Sequence, residues 1–201
     1  VTRAQVGQLG QSGRVPPQID AVTRRTDLVT IGLGGNDDQL FGGLIGRCSQ
    51  AAASNPTGSP CVDSYDAAET SALETTFSRI ADNIEGVVRD VRTKAPQARI
   101  LVIGYPQVVP EEGSCDQLPL AAGDYGFARE VNRRLTEAVQ EGATRADAEY
   151  VDVWSASAGH DICSTDPWIN GQVTSAQTAL AYHPLAAGQQ AVADLVLARL
   201  R

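Results

Sequence analysis

The chain has 201 residues, of which 42% are hydrophobic and 20% are charged, and its formal net charge is −8. This length is typical of one domain with a full core, and the scattered basic residues of an acidic chain exclude the basic surface that nucleic-acid partners require. The longest apolar runs, such as residues 100–104, are far shorter than the ~20 residues of a membrane-spanning helix, so we expect no stable membrane insertion.

Buried strands and amphipathic helices alternate along the chain. Residues 27–33 form a β-branched apolar run that ends in Gly34-Gly35, which predicts a buried strand. Apolar residues then recur at intervals of three and four over residues 74–94, which predicts a helix ended by Pro96. The same patterns predict a strand over 99–105, a helix over 123–143, a strand over 150–153 and a last helix over 186–201.

This alternation is typical of a parallel sheet covered by helices on both faces. We therefore predict an α/β fold, a three-layer α/β/α sandwich with a central parallel sheet of flavodoxin-like type. No repeat or linker divides the chain, so we predict one domain over residues 1–201, with an irregular connection over residues 1–20. Ligands of such sheets bind beyond the carboxyl ends of the strands, where residues 34–38, 106–115 and 154–184 lie.

The cysteines Cys48, Cys61, Cys115 and Cys163 form an even set with no Cys-x-x-Cys pair, which argues against a zinc site. We predict two disulfides. The loop between Cys48 and Cys61 cannot pack itself, which favours pairing Cys48 with Cys61 and Cys115 with Cys163 among three connectivities. Four free buried thiols are the alternative. Disulfides would imply export, so a secreted or extracytoplasmic protein is expected.

Two short motifs lie at the edge of the sheet where the ligand site is expected. Gly34-Gly35-Asn36-Asp37 directly follows a predicted strand, where an asparagine amide can donate to a developing oxyanion. The alternative is a turn in which Asn36 or Asp37 caps the next helix. Tyr182-His183-Pro184 precedes the last helix and holds an imidazole where it can act as a general base, or only as a helix cap.

Together these motifs resemble blocks III and V of the SGNH, or GDSL-type, hydrolases, and they are most similar to the secreted bacterial esterases, lipases and phospholipases of that superfamily. Residues 27–37, 103–106, 159–168 and 182–189 match in order and spacing. The resemblance implies the SGNH fold and hydrolysis of acyl esters or lipids by a serine nucleophile, without a cofactor or metal. His183 corresponds to the catalytic base, Asn36 to the oxyanion donor and Gly34 to the invariant glycine of the same block. Gly34 and Gly35 are expected to be substrate-binding residues.

The sequence departs from the family at the acid and at the nucleophile. Where many members carry an acid three positions before the histidine, this chain has Leu180, so the carbonyl of Leu180 or Ala181 is expected to orient His183 instead. Asp37 or Asp161 could replace that carbonyl through folding.

No Gly-Asp-Ser block occurs, and the chain begins at Val1 without any methionine, so we expect a processed product or fragment. The first strand and the serine are then expected upstream of Val1. If that upstream segment stays associated with this chain, it is a partner of the chain. The chain alone is expected to be inactive. Ser12 is the alternative nucleophile and His160 the alternative base.

Two other functions fit the same residues. A catalytically inactive SGNH-fold binding protein would explain the missing serine, and an acyltransferase or phospholipase would use the same site. Tyr105, Trp154 and Trp168 are candidates to line an acyl pocket, or to be core packing. Asp37-Asp38 alone makes a poor metal site, so none is predicted.

Overall fold

The computed structural model describes residues 16–201. Its sheet has the strand order β1-β2-β3, with β1 at Leu28–Ile31, β2 at Arg99–Ile103 and β3 at Glu149–Val151. Both pairings are parallel. The carboxyl ends of all three strands therefore lie along one edge of the sheet.

Helices and short 3₁₀ turns connect and cover the strands. The 3₁₀ turns lie at Gln18–Ala21, Asp37–Gln39 and Ala122–Asp124. The α-helices are α1 (Leu40–Ala52), α2 (Pro60–Asp63), α3 (Ala67–Lys94), α4 (Tyr125–Arg145), α5 (Val153–Ala156) and α6 (Ala186–Leu200). Over the described part of the chain, none of the helices has the length and apolar character needed to cross a bilayer.

The two faces of the sheet are covered by different helices. On one face, α3 and α4 bury their apolar stripes in a core that also contains Ile31, Ile100 and Val102. On the other face, Leu101 and Val151 pack against the apolar side of α6. The side chains of consecutive residues of β2 thus enter opposite layers, as the pleat of a strand requires. The predicted three-layer α/β/α sandwich is confirmed.

The boundaries of the elements differ from the predictions in explicable ways. Helix α3 begins at Ala67 rather than at residue 74 because Asp66 and Glu69 form a capping box that adds two turns. Helix α1 was not predicted, since its glycines mask an apolar stripe at Leu40, Leu44 and Cys48. Of the irregular stretch predicted over residues 1–20, the turn at Gln18–Ala21 is ordered as 3₁₀ helix, and residues 1–15 lie outside the described part.

Two disulfides join loops and helices around the sheet. Cys48 in α1 bonds Cys61 in α2, and Cys115 bonds Cys163 across the loops that follow β2 and α5. This is the predicted connectivity. The buried carboxylate of Asp124 also accepts hydrogen bonds from the backbone N–H groups of Cys61 and Val62, each at 3.0 Å. Helix α2 is thereby tied to the start of α4.

Candidate active site

The glycine that follows β1 allows the chain to turn closely over two helices. Gly34 has φ +120°, and a Cβ there would lie 3.1 Å from Cγ2 of Ile80 and 3.3 Å from Cγ2 of Val139. A side chain is therefore excluded both by the backbone conformation and by the packing of α3 and α4. This accounts for a glycine at position 34 whether or not it contacts a substrate.

Tyr105 connects the loops that leave β1 and β2. The Gly35 N–H donates to the Tyr105 hydroxyl at 2.7 Å. The backbone of Tyr105 is in turn held by Thr136, whose Oγ1 accepts from the Tyr105 N–H at 3.2 Å and donates to its carbonyl at 3.1 Å. Burial raises the pKa of Tyr105, so its hydroxyl stays protonated at neutral pH. Tyr105 was predicted only as a pocket residue, because its contact with Gly35 has no local signal in the sequence.

Asn36 begins the 3₁₀ turn that follows, and its side chain does not cap that turn. Its neighbour Asp37 is only 4% exposed, and its Oδ2 accepts from Nδ2 of Asn83 in α3 at 3.0 Å. Burial raises the pKa of Asp37. Asp38 forms an ion pair of 2.7 Å with Arg79, also in α3. Both carboxylates thus anchor the loop to α3 and leave Asn36 at the exposed surface.

The ring of His183 is oriented by a backbone carbonyl. Its Nδ1 lies 2.8 Å from the carbonyl oxygen of Ala181, while its backbone N–H donates to Leu180 at 3.1 Å. Of the two predicted carbonyls, Ala181 is therefore the one that contacts the ring. Because a carbonyl only accepts, Nδ1 must carry the hydrogen in the neutral ring, and Nε2 keeps the lone pair that a general base needs.

The two aspartates considered as substitutes are engaged elsewhere. Asp37 binds Asn83, and Oδ1 of Asp161 accepts from the Cys163 N–H at 2.8 Å. The alternative base, His160, stacks on Trp168 with ring centroids 4.6 Å apart, and its Nδ1 lies 2.8 Å from the Asp166 carbonyl. Its ring is thus covered on one face by the indole.

A cavity of about 310 Å³ lies between the strand ends and α6. Gly32 and Tyr105 line it from the sheet, and Trp168 and Pro184 line it from the late loop. Since Gly32 comes two residues before Gly34 and Pro184 directly follows His183, the two motif-bearing loops border the same space. Tyr105 and Trp168 were predicted to line such a pocket. Trp154 does not line this cavity; its carbonyl accepts from Nε2 of Gln107 at 3.1 Å.

No serine hydroxyl of residues 16–201 is hydrogen-bonded to the His183 ring, whose partner is Ala181. Ser12, the alternative nucleophile, lies outside the described residues. Over the same described stretch, no cluster of three His, Cys, Asp or Glu side chains is arranged to hold a metal ion. The geometry thus presents an oriented histidine next to an apolar cavity, and an exposed Asn36 on the loop that follows β1.

Comparison with known proteins identifies the family. The model of the GDSL-like lipase/acylhydrolase family matches residues 2–191, so the chain belongs to this family. Lipase 2 of Streptomyces coelicolor is 36% identical over 187 residues, which cover 90% of this chain and 62% of that protein. An esterase of Streptomyces scabiei is 26% identical over 193 residues, covering 84% of this chain and 56% of the esterase.

The crystal structure of phospholipase A1 from Streptomyces albidoflavus has the same fold. It superposes with a TM-score of 0.72 at 26% identity, covering 90% of this chain and 72% of the phospholipase. Of the lipase and the esterase relatives described above, the chain spans only about three fifths of the length.

Proposed function

We propose that the chain is part of a secreted carboxylic-ester hydrolase that uses a Ser-His pair, with His183 as general base and Asn36 as an oxyanion donor. The observation that carries this proposal is the 2.8 Å contact between Nδ1 of His183 and the Ala181 carbonyl. It fixes the tautomer in which Nε2 can accept a proton. The family membership and the cavity beside the histidine support the same function.

The proposed reaction proceeds in two steps. A serine hydroxyl attacks the ester carbonyl while Nε2 of His183 takes the serine proton and then gives it to the departing alcohol. The side-chain N–H of Asn36 donates to the tetrahedral oxyanion. His183 then takes a proton from the water that attacks the acyl-serine, and it returns that proton to the serine oxygen as the acid is released. The Ala181 carbonyl stabilises the imidazolium less than a carboxylate would, because it carries no full charge.

The serine is proposed to lie upstream of Val1, on a segment that follows one more parallel strand. Among residues 16–201, no strand pairs with the outer side of β1, where Leu28 is 38% exposed. A groove of about 230 Å³ runs there, lined by Val29, Ile31 and Leu33 of the β1 region together with Ile19 and Val91. A parallel strand paired with β1 would end at the same edge as Gly34 and so deliver its serine to the site.

Acyl esters or lipids are the proposed substrates. The lining of the 310 Å³ cavity is mainly apolar, with Ile103, Val153, Trp168 and Ile169 among its residues, which suits an acyl chain. Related proteins are named lipase, esterase and phospholipase A1. The two disulfides fit an extracellular protein.

The test is hydrolysis of a short-chain p-nitrophenyl ester by the full-length protein, with His183→Ala and His160→Ala as a matched pair. We expect His183→Ala to lower kcat by at least about 10³-fold, and His160→Ala to retain most of the activity. The reverse ranking would assign the base to His160. Equal rates for wild type and His183→Ala would overturn the proposal.

Fluorophosphonate labelling with peptide mapping locates the nucleophile. A label on a serine upstream of Val1 supports the proposal, whereas a label on Ser12 moves the nucleophile into this chain. An unlabelled protein without esterase activity would instead be the inactive SGNH-fold binding protein. Transfer of the acyl group to an added alcohol in preference to water would identify an acyltransferase.

A further inference from the structure

The side-chain amide of Asn170 is surrounded by backbone carbonyls of the loop that carries His183. Its Nδ2 lies 2.8 Å from the carbonyl oxygen of Val173, 2.9 Å from that of Ala179 and 3.1 Å from that of Leu180. Only an N–H donor is stable among three carbonyl oxygens, so the amide nitrogen must be the atom that faces them. Asn170 therefore gathers both ends of the loop over residues 173–180 onto one side chain.

The backbone of Asn170 holds the same loop from the other side of the histidine. The Asn170 N–H donates to the His183 carbonyl at 2.9 Å. Next to it, Ile169 and Pro184 form an antiparallel β-bridge. One residue thus binds the chain before His183 through its side chain and binds His183 itself through its backbone.

Between these two attachments lies a strained residue. Tyr182 has φ +60°, a left-handed conformation that non-glycine residues seldom adopt and that persists only where the surroundings enforce it. The Tyr182 N–H donates to Gly171 at 3.1 Å, and Asn170 holds Leu180 before it and His183 after it. This turn folds the chain back so that the carbonyl of residue 181 faces the ring of residue 183.

We propose that Asn170 is the positioning residue that keeps the Ala181 carbonyl on Nδ1 of His183 and so takes over the orienting role of the missing acid. The inference rests on the proposed function of His183, since only a catalytic histidine needs this orientation. Asn170 acts through the turn and does not touch the ring or the substrate. Thr174 supports the same turn, because its Oγ1 accepts from the Ala181 N–H at 3.0 Å.

The test compares Asn170→Ala and Asn170→Asp with Gln172→Ala in the full-length protein. Gln172 is a matched control because its side-chain amide also binds a backbone carbonyl, that of Asp116, outside the histidine turn. Imidazole ¹⁵N chemical shifts, recorded at a pH at which the histidine rings are neutral, report which ring nitrogen carries the hydrogen. We expect His183 to be mainly Nδ1–H in wild type and in Gln172→Ala, and to move toward Nε2–H in both Asn170 variants. His160, the only other histidine, is the internal reference.

Kinetics supply the second measurement. In the Asn170 variants we expect kcat to fall on the order of 10²-fold with KM nearly unchanged, because the base is misplaced while the pocket is kept. An unchanged tautomer and kcat in a folded Asn170→Ala protein would refute the role of Asn170. If both variants fail to fold, Thr174→Val, at an exposed position, decides: a shifted tautomer supports the proposal and an unchanged one overturns it. A wild type that shows the Nδ1–H form but no esterase activity would contradict the proposed function alone.

Discussion

The hydroxyl of Tyr105 accepts a hydrogen bond of 2.7 Å from the backbone N–H of Gly35, a residue 70 positions earlier in the chain. This bond joins the loop that carries Asn36 to the loop that leaves the neighbouring strand. The bond therefore holds in place the residue that directly precedes the proposed oxyanion donor.

Tyr105→Phe is expected to destabilise the protein by about 1–3 kcal/mol, because the N–H of Gly35 loses its partner in a buried place. Urea unfolding measures this difference, and kcat of the full-length protein should fall as the loop loosens. Tyr150→Phe is the control. The Tyr150 hydroxyl is buried without a well-formed hydrogen bond, since the nearby Thr136 hydroxyl is already engaged with Tyr105. Its removal should be neutral or stabilising, and an equal loss in both variants would contradict this account.

Gly34→Ala is expected to lower the free energy of unfolding by at least about 2 kcal/mol. The new Cβ would crowd Ile80 and Val139, and the φ of +120° is strained for any residue with a side chain. Gly46→Ala, in α1 with no heavy atom within 4 Å of the added Cβ, should instead stabilise the protein by about 0.5–1 kcal/mol. Thermal or urea unfolding of the pair measures the contrast. A Gly34→Ala protein as stable as wild type would leave substrate contact as the only reason for this glycine.

The two disulfides should contribute unequally to stability. Cys48 and Cys61 are 13 residues apart, whereas Cys115 and Cys163 are 48 apart. Since the longer loop gains more entropy on release, replacing the second pair by serines should cost about 1 kcal/mol more than replacing the first. Mass spectrometry after reduction and alkylation confirms the bonds beforehand. A larger loss for the pair Cys48–Cys61 would show that native packing outweighs loop entropy.

Asp37→Asn should change how stability depends on pH. Burial raises the pKa of Asp37 above its value in the unfolded chain, so the folded protein holds this proton more tightly. The stability that this tighter binding of the proton provides is therefore fully present below about pH 4. It is lost as pH rises through the raised pKa of Asp37. The asparagine variant should equal or exceed wild type at pH 7, and its advantage should vanish at low pH.

Unfolding in urea at several pH values measures the Asp37 effect, with Asp38→Asn as the control. Asp38 is an exposed carboxylate paired with Arg79, so its replacement should change stability by no more than about 1 kcal/mol. If Asp37→Asn loses stability toward neutral pH faster than wild type does, the buried carboxylate is a stabilising group.

Local sequence patterns were sufficient for the sheet and its main helices. Strand β2 is a run of β-branched and aliphatic residues, and the stripe of α3 places Ile80, Ile84 and Val88 on one buried face. The start of α3 was missed because its capping box, Asp66 and Glu69, precedes the apolar stripe. Leu200 lies on the apolar face of α6 and is still 37% exposed, because the face of a helix is covered only as far as its neighbours extend.

By itself, the sequence determined the alternation of strands and helices and the motifs that hold Asn36 and His183, since each of these depends on residues close together in the chain. It favoured the disulfide pairing only through the short loop between Cys48 and Cys61, because the other pair is 48 residues apart. The tertiary structure decided that Ala181 rather than Leu180 meets the imidazole, because that choice depends on the left-handed turn at Tyr182 and its attachment to Asn170. It also decided the bond between Tyr105 and Gly35. Such contacts arise only when packing brings distant polar groups into hydrogen-bonding geometry, and no local period in a sequence records them.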